Sequence, residues 1–365
     1  VPDAVHARRW TIQRRSQCIE GWLMRLATYD DGTIDGKLVV VSRDLQRAVG
    51  ARVIAPNLLT ALRCWPSVEA PLRLLGERLD HGRAEDAVPF DPTRCLAPLP
   101  RAPQWCDGSA FLNHGRLMDL AFDKPPIPDF DTIPVMYQGA SDDFLGPQTD
   151  VPFVTEADGI DLEGEFGVIV DEVAMATPPA ECGRHIRLLV QINDWSLRAI
   201  GAREVRTGFG FLQAKPSTSF APIAVTPDEL GDAWRDDRVD MQLGVWRNGE
   251  RVGAASGREM AFSFADLIAH AAKTRRLTAG TIIGSGTVSN ADRSAGSSCL
   301  AEVRAIEMVD YGAARTPFLK FGDRVSMQAR FADGRDGPFG RIDQKVVRAG
   351  DKSVAPPRSS NRGGM

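Results

Sequence analysis

Apolar residues recur along the chain mostly in short alternating or continuous runs, a pattern that predicts strands more often than helices. Met24-Arg-Leu-Ala-Thr-Tyr has the first strand pattern, and Leu38-Val-Val-Val-Ser is the second, after the turns Asp-Gly-Thr and Asp-Gly-Lys. Asn57-Leu-Leu-Thr-Ala-Leu-Arg-Cys-Trp and Pro71-Leu-Arg-Leu-Leu-Gly-Glu-Arg-Leu carry the 3.6-residue apolar repeat of helices. Prolines favour an extended connector, so Ala97-Pro-Leu-Pro-Arg-Ala-Pro marks a boundary. Beyond it, strand runs bounded by Gly, Pro and Asp dominate to about residue 346, with helices expected only near Pro178–Gln191 and Phe264–Arg275. The pattern gives an α+β, mainly β protein with no internal repeat. Its parts are an extended start (1–23), a small N-terminal α+β domain (24–100), a larger domain (101–346) and a disordered Pro/Ser/Arg/Gly tail (347–365).

Composition narrows the class without naming an activity. The 365 residues are 43% hydrophobic and 25% charged, as in an ordinary globular enzyme with a sizeable core. A net charge of −4 gives no general attraction to nucleic acid or anionic membranes. The 6 cysteines (Cys18, Cys64, Cys95, Cys106, Cys182 and Cys299) are scattered and lack a C-x-x-C pair, which argues for free, mostly buried thiols. No apolar run reaches the length of a membrane span, and the Arg-rich start lacks the apolar core of a secretory signal. Cytoplasmic placement is the expectation.

Chemistry concentrates in a few segments. In Gly159-Ile-Asp-Leu-Glu-Gly-Glu-Phe-Gly-Val-Ile-Val, side chains two apart share a strand face, so Glu163 and Glu165 point the same way. Paired carboxylates repel unless a proton or cation lies between them, and oxygen ligands suit a hard divalent ion. The run Leu188-Leu-Val-Gln-Ile-Asn-Asp-Trp-Ser-Leu-Arg ends in Asp194, and a helical turn would bring Arg198 beside it. Trp105-Cys-Asp-Gly-Ser-Ala-Phe-Leu-Asn-His holds Asp107 and His114, one of 5 histidines and a candidate general base. Lys215 follows a Gly/Phe-rich loop, where it is either an anion clamp or a surface lysine. Gly284-Ser-Gly-Thr-Val-Ser-Asn lacks the lysine and helix of a phosphate loop, which excludes nucleotide binding of that type.

Taken in order, these segments resemble the fumarylacetoacetate hydrolase family over about 250 residues of the chain. The resemblance implies a mixed β-roll catalytic domain, with residues 24–100 similar to the small N-terminal domain of some bacterial members. It implies metal ligation by Asp107, Glu163, Glu165 and Asp194, with Mg²⁺ as the ion and Mn²⁺ or Ca²⁺ as alternatives. Pro134-Val-Met-Tyr-Gln-Gly is similar to a family motif that assigns Tyr137 to substrate binding, and Thr287 falls at a second substrate contact. Lys215 falls at a clamp lysine and Glu302 at a glutamate that orients the histidine; with Arg198 and His114 these form the implied catalytic set. Ser109, Ala140 and Gly201 stand where fumarylacetoacetase has a tyrosine, an arginine and a glutamine. The pocket therefore differs from that relative's.

The activity so implied is metal-dependent hydrolysis of a carbon–carbon bond in a β-diketo acid, fumarylacetoacetate or an acylpyruvate, in aromatic catabolism. A homodimer is the implied assembly, with a small keto acid as partner and neither nucleic acid nor membrane. One alternative is a metal-dependent 2-oxo acid lyase or isomerase (a decarboxylase or hydratase) on the same scaffold. Another, of a different class, is a catalytically silent binding or scaffold protein.

Overall fold

The computed structural model describes residues 23–121 and 127–351, so the expected extended start lies almost wholly outside the described residues. Its centre is an 11-stranded, mainly antiparallel sheet. From one edge the order is Val88–Pro89, Arg47–Gly50, Lys37–Val41, Arg25–Tyr29, Ile223–Val225, Ile186–Asn193, Gly164–Val170, Ile282–Gly284, Trp105–Gly108 and Met136–Gly139. Ser219–Phe220 pairs with the Ile186–Asn193 strand off this path. The two halves of the chain thus share one sheet, joined where Arg25–Tyr29 pairs with Ile223–Val225. A 5-stranded sheet runs Glu250–Ser256, Gln242–Arg247, Arg324–Arg330, Asp336–Arg348 and Val151–Phe153.

Both faces of the large sheet are buried, which explains its near-continuous apolar strands. Phe166, Val168 and Val170 belong to a core shared with Leu243, Val245, Val325 and Met327 of the second sheet. The opposite face carries Leu26, Leu38, Val40, Ile169, Val190 and Ile282, covered by Leu58, Leu62, Trp65 and Leu72 of the helices α1 (Leu58–Arg63) and α2 (Trp65–Asp80). Asn57 caps α1 by accepting the N–H of Thr60 at 2.9 Å. The second helix starts earlier than its apolar repeat suggests, with Pro66 in the first turn and Pro71 inside it.

The remaining helices are α3 (Leu112–Ala121), α4 (Pro179–Cys182), α5 (Arg198–Thr207), α6 (Phe264–Ala271) and α7 (Leu300–Tyr311). The helix expected over Pro178–Gln191 is corrected: α4 and a single 3₁₀ turn end at His185, and Ile186 begins a buried strand. A continuous apolar run fits a doubly buried strand as well as a helix, and here the sheet takes it. Near Phe264 the expected helix forms, but it stops at Ala271; Ser263 and Asp266 close a reciprocal capping box. The last strand runs through Arg348 beside Val151–Phe153, past the expected start of the tail. Residues 352–365 of that tail lie outside the described residues.

Among the described residues the free cysteines are Cys64, which is exposed, and the buried Cys95, Cys106, Cys182 and Cys299. No described helix is long and apolar enough to cross a membrane.

Candidate metal centre and active site

Alternation along the strand Gly164–Val170 puts Glu165 on the same face as Ile169, and alternation along Trp105–Gly108 puts Asp107 beside Trp105. Between those strands runs Ile282–Gly284, with Gly284 opposite both Asp107 and Gly167. A Cβ on residue 284 would stand 2.3 Å from Asp107 Oδ1, so only glycine leaves room for that carboxylate. Asp194 enters from the end of the strand Ile186–Asn193. Asp107, Glu165 and Asp194 converge with carboxylate oxygens within 4.8 Å of one another, all buried. At an effective dielectric of about 20, each fully charged pair at ~4 Å repels by about 4 kcal/mol. Such a cluster needs protons or a cation.

The surroundings point to a cation. Both carboxylate oxygens of Glu165 are buried and receive no hydrogen bond. Burial, then the charges of Asp107 and Asp194, pushes the Glu165 carboxyl well above its ordinary range. Burial and Asp194 likewise push Asp107 up to about 8. Asp107 Oδ1 accepts the N–H of Gly286 at 3.0 Å. A hard divalent ion fits this all-oxygen set.

Asp194 is oriented from three sides. Thr218 Oγ1 donates to its Oδ1 at 2.8 Å, while Tyr137 Oη and Lys215 Nζ donate to Oδ2 at 2.5 and 2.6 Å. Tyr137 lies opposite Asp107 in the sheet, and Phe211 packs edge-on against its ring at 5.1 Å.

Glu163, expected among the ligands, lies next to the cluster, joined to Asp194 through Lys215. The strand is interrupted between Asp161 and Gly164, where Glu163 makes an isolated bridge with Cys299. Its Oε1 accepts Arg198 Nη2 at 2.5 Å and its Oε2 is paired with Lys215 Nζ. Burial alone would raise its carboxyl, but Arg198 and Lys215 outweigh that and hold it down to about 2. Lys215 is buried too, which disfavours its charge, yet Asp194 and Glu163 keep the ammonium protonated. Lys215 is therefore no surface lysine.

On the rim, His114 sits in the first turns of α3, which packs against α7. His114 Nδ1 lies 2.7 Å from Glu302 Oε2, and Glu302 is itself buried in the first turn of α7. Cys299 Sγ caps that turn by accepting the N–H of Glu302 at 3.3 Å. Thr287 is buried one residue beyond Gly286, whose φ of +77° favours glycine.

Sequence reasoning missed three residues. Thr218 braces Asp194. Glu204, buried in α5, accepts the N–H groups of Leu212, Gln213 and Ala214 at 3.0, 2.9 and 3.0 Å, just ahead of Lys215. Asp161 pairs with Arg198 Nε at 2.8 Å. The Asp161 carboxylate was visible two positions before Glu163, but its partners lie far away in the sequence.

Three buried carboxylates, with Lys215 bridging Asp194 to Glu163 and Arg198 on Glu163, form a candidate metal site on a mainly β scaffold. Residues 104–347 match the family model described as fumarylacetoacetate (FAA) hydrolase C-terminal, and residues 24–101 match fumarylacetoacetase N-terminal domain 2. The chain belongs to the fumarylacetoacetate hydrolase family. A 2,4-didehydro-3-deoxy-L-rhamnonate hydrolase of Sphingomonas sp. (strain SKA58) is 30% identical over 165 residues, which is 44% of this chain. The match spans about half of that relative's length, 54%. Two solved structures share the fold. Maleylpyruvate hydrolase from Sphingobium sp. SYK-6, in complex with manganese(II) and pyruvate, has a TM-score of 0.58 at 15% identity over 89% of this chain and 99% of that one. A 2-hydroxyhepta-2,4-diene-1,7-dioate isomerase from Mycobacterium marinum has a TM-score of 0.55 at 17% identity over 90% and 99%.

Proposed function

We propose that this enzyme hydrolyses a carbon–carbon bond of a β-diketo acid, an acylpyruvate or fumarylacetoacetate, with a divalent cation as cofactor. The observation that carries the proposal is the His114–Glu302 pair, whose histidine lies within electrostatic reach of Glu163, the carboxylate that Lys215 joins to Asp194 of the cluster. Asp107, Glu165 and Asp194 would hold the ion, Mg²⁺ or Mn²⁺. When bound, it supplies positive charge that polarises a carbonyl and favours the enolate of a β-diketo acid. In this reading Glu163 anchors Lys215 and Arg198 through one bond to each oxygen, and its two remaining acceptor sites would allow it to be the fourth ligand.

The side chains then divide the work. With Nδ1–H turned to Glu302, His114 presents Nε2 to take a proton from water, and the hydroxide attacks the carbonyl remote from the carboxylate. Glu302 balances the imidazolium that forms. Lys215 and Arg198 are the cations available to substrate carboxylate or to developing oxyanion charge. Tyr137 and Thr287 position the substrate. The bond between the attacked carbonyl and the adjacent methylene breaks, and the proton held by His114 returns to that carbon. An acylpyruvate would yield pyruvate and the carboxylic acid of its acyl group.

The curated hydrolase relative supports the reaction class, and the manganese–pyruvate complex of the fold relative supports the cofactor class and a keto-acid ligand. The solved isomerase of the same fold makes isomerase chemistry the outcome to test against. Family membership likewise supports a homodimer, which sedimentation of the purified protein tests. The functional test is product analysis after incubation with acylpyruvate, fumarylacetoacetate or oxaloacetate, with Mn²⁺, Mg²⁺ or EDTA. Metal-dependent hydrolytic products support the assignment, and decarboxylation or isomerisation without cleavage by water would overturn it.

A further inference from the structure

Asp161 is fully buried and accepts four hydrogen bonds from three separate stretches of chain. Its Oδ1 takes the N–H groups of Leu162 and Leu300, each at 2.8 Å. Its Oδ2 takes the N–H of Ala301 at 2.9 Å and Arg198 Nε at 2.8 Å. A carboxylate offers about four acceptor sites, so this one is saturated.

The partners are what make the residue informative. Leu300 and Ala301 open α7, where backbone N–H groups have no intrahelical acceptor. The next residue is Glu302, which faces His114. Arg198 spans Asp161 and Glu163 through two different nitrogens, so its guanidinium is fixed at both ends. Cys299 takes only the N–H of Glu302, so the N–H groups of Leu300 and Ala301 depend on Asp161, whose carboxylate holds Arg198 as well. One buried anion ties the strand that leads to Glu163, the cation beside it and the helix bearing Glu302.

We propose that Asp161 is a positioning residue of the active site, fixing Glu302 behind His114 through α7 and holding Arg198 on Glu163. The proposal rests on His114 and Glu302 acting as the base pair of the reaction. Asp161 touches neither substrate nor metal and acts only through its partners.

The test compares Asp161→Asn, Glu302→Gln and the double variant in the full chain, with Mn²⁺ and an acylpyruvate. Asp161→Asn keeps the shape and removes the anion. Its kcat is expected to fall about 100-fold, within the range of a general-base contribution. KM and the Mn²⁺ dissociation constant should each move by less than about threefold. Because both single changes act on one base, the loss in the double variant should fall well short of the product of the two single losses. The amide protons of Leu300 and Ala301 should exchange at least about tenfold faster in Asp161→Asn, a readout that needs no turnover. A kcat within about twofold of the parent, multiplicative losses, or unchanged exchange at both amides would overturn the proposal. If Asp161→Asn fails to fold, Asp161→Glu is measured by the same criteria. Absence of hydrolysis by the parent protein would remove the functional reading and this proposal with it, whereas a hydrolysing parent with an unaffected Asp161→Asn would overturn this proposal alone.

Discussion

His114 and Glu302 stand 2.7 Å apart although 188 residues separate them in the chain. The contact exists because α3 and α7 pack together at the rim of the large sheet. His114→Ala removes the proposed base, and Glu302→Gln removes the charge behind it. Each should lower kcat by about 10²–10⁴-fold while Mn²⁺ binding, measured by calorimetry, stays close to the parent value. Loss of metal binding in either variant would mean that the pair serves the carboxylate cluster rather than the substrate.

Gly284 is required by space. A Cβ there would also fall 2.3 Å from the Trp105 ring, so neither neighbour has room to yield. Gly284→Ala is expected to weaken divalent-metal affinity at least about 100-fold, or about 2.8 kcal/mol at 1.4 kcal/mol per tenfold change. Calorimetric titration with Mn²⁺ checks it, and an unchanged affinity would show that Asp107 does not hold the ion.

Burial and the Asp194 charge push Asp107 up to about 8, so without metal the folded protein binds a proton that the unfolded chain has released. The sign follows. A raised carboxyl pKa means that metal-free stability falls as pH climbs from about 4 to about 8. A divalent ion takes the proton's place, so its stabilising effect should grow over the same window. Thermal melts in EDTA and in saturating Mn²⁺ between about pH 6 and 8 should diverge with rising pH. A metal-induced Tm shift that shrinks toward pH 8 would contradict the assignment of Asp107.

Glu204 holds the segment before Lys215 through three consecutive N–H groups. In that segment Phe209 is 98% exposed and Leu212 85% exposed. Glu204→Ala should make residues 207–213 cleave faster in limited proteolysis and raise KM several-fold through displaced Lys215 and Phe211. The global Tm should drop by only about 1 kcal/mol's worth, since the lost bonds are local. Unchanged proteolysis would mean that other contacts hold the loop.

How much of this was legible in the sequence depends on the range of the interactions. The glycine-flanked Glu-Gly-Glu run marked Glu165 and the Asn-Asp-Trp-Ser segment marked Asp194 because both signals are local, whereas the break that leaves Glu163 outside the strand is not visible in the alternation. Nothing local shows that Arg198 and Lys215 reach Glu163, or that Glu165 is left without a donor. Ile186–Gln191, expected as helix, forms a strand because an apolar run buried on both faces has no period to distinguish the two. Asp161, Glu204 and Thr218 act through partners set by the fold, and their own surroundings in sequence are unremarkable. The His114–Glu302 pair could be anticipated only from the order of several motifs, never from spacing.

The central claim is cleavage by water at a metal centre, and product identification tests it most directly. Incubated with an acylpyruvate and Mn²⁺, the enzyme should release equimolar pyruvate and carboxylic acid, with activity lost in EDTA and in His114→Ala. Release of CO₂, or an isomerised acid with no pyruvate, would contradict it.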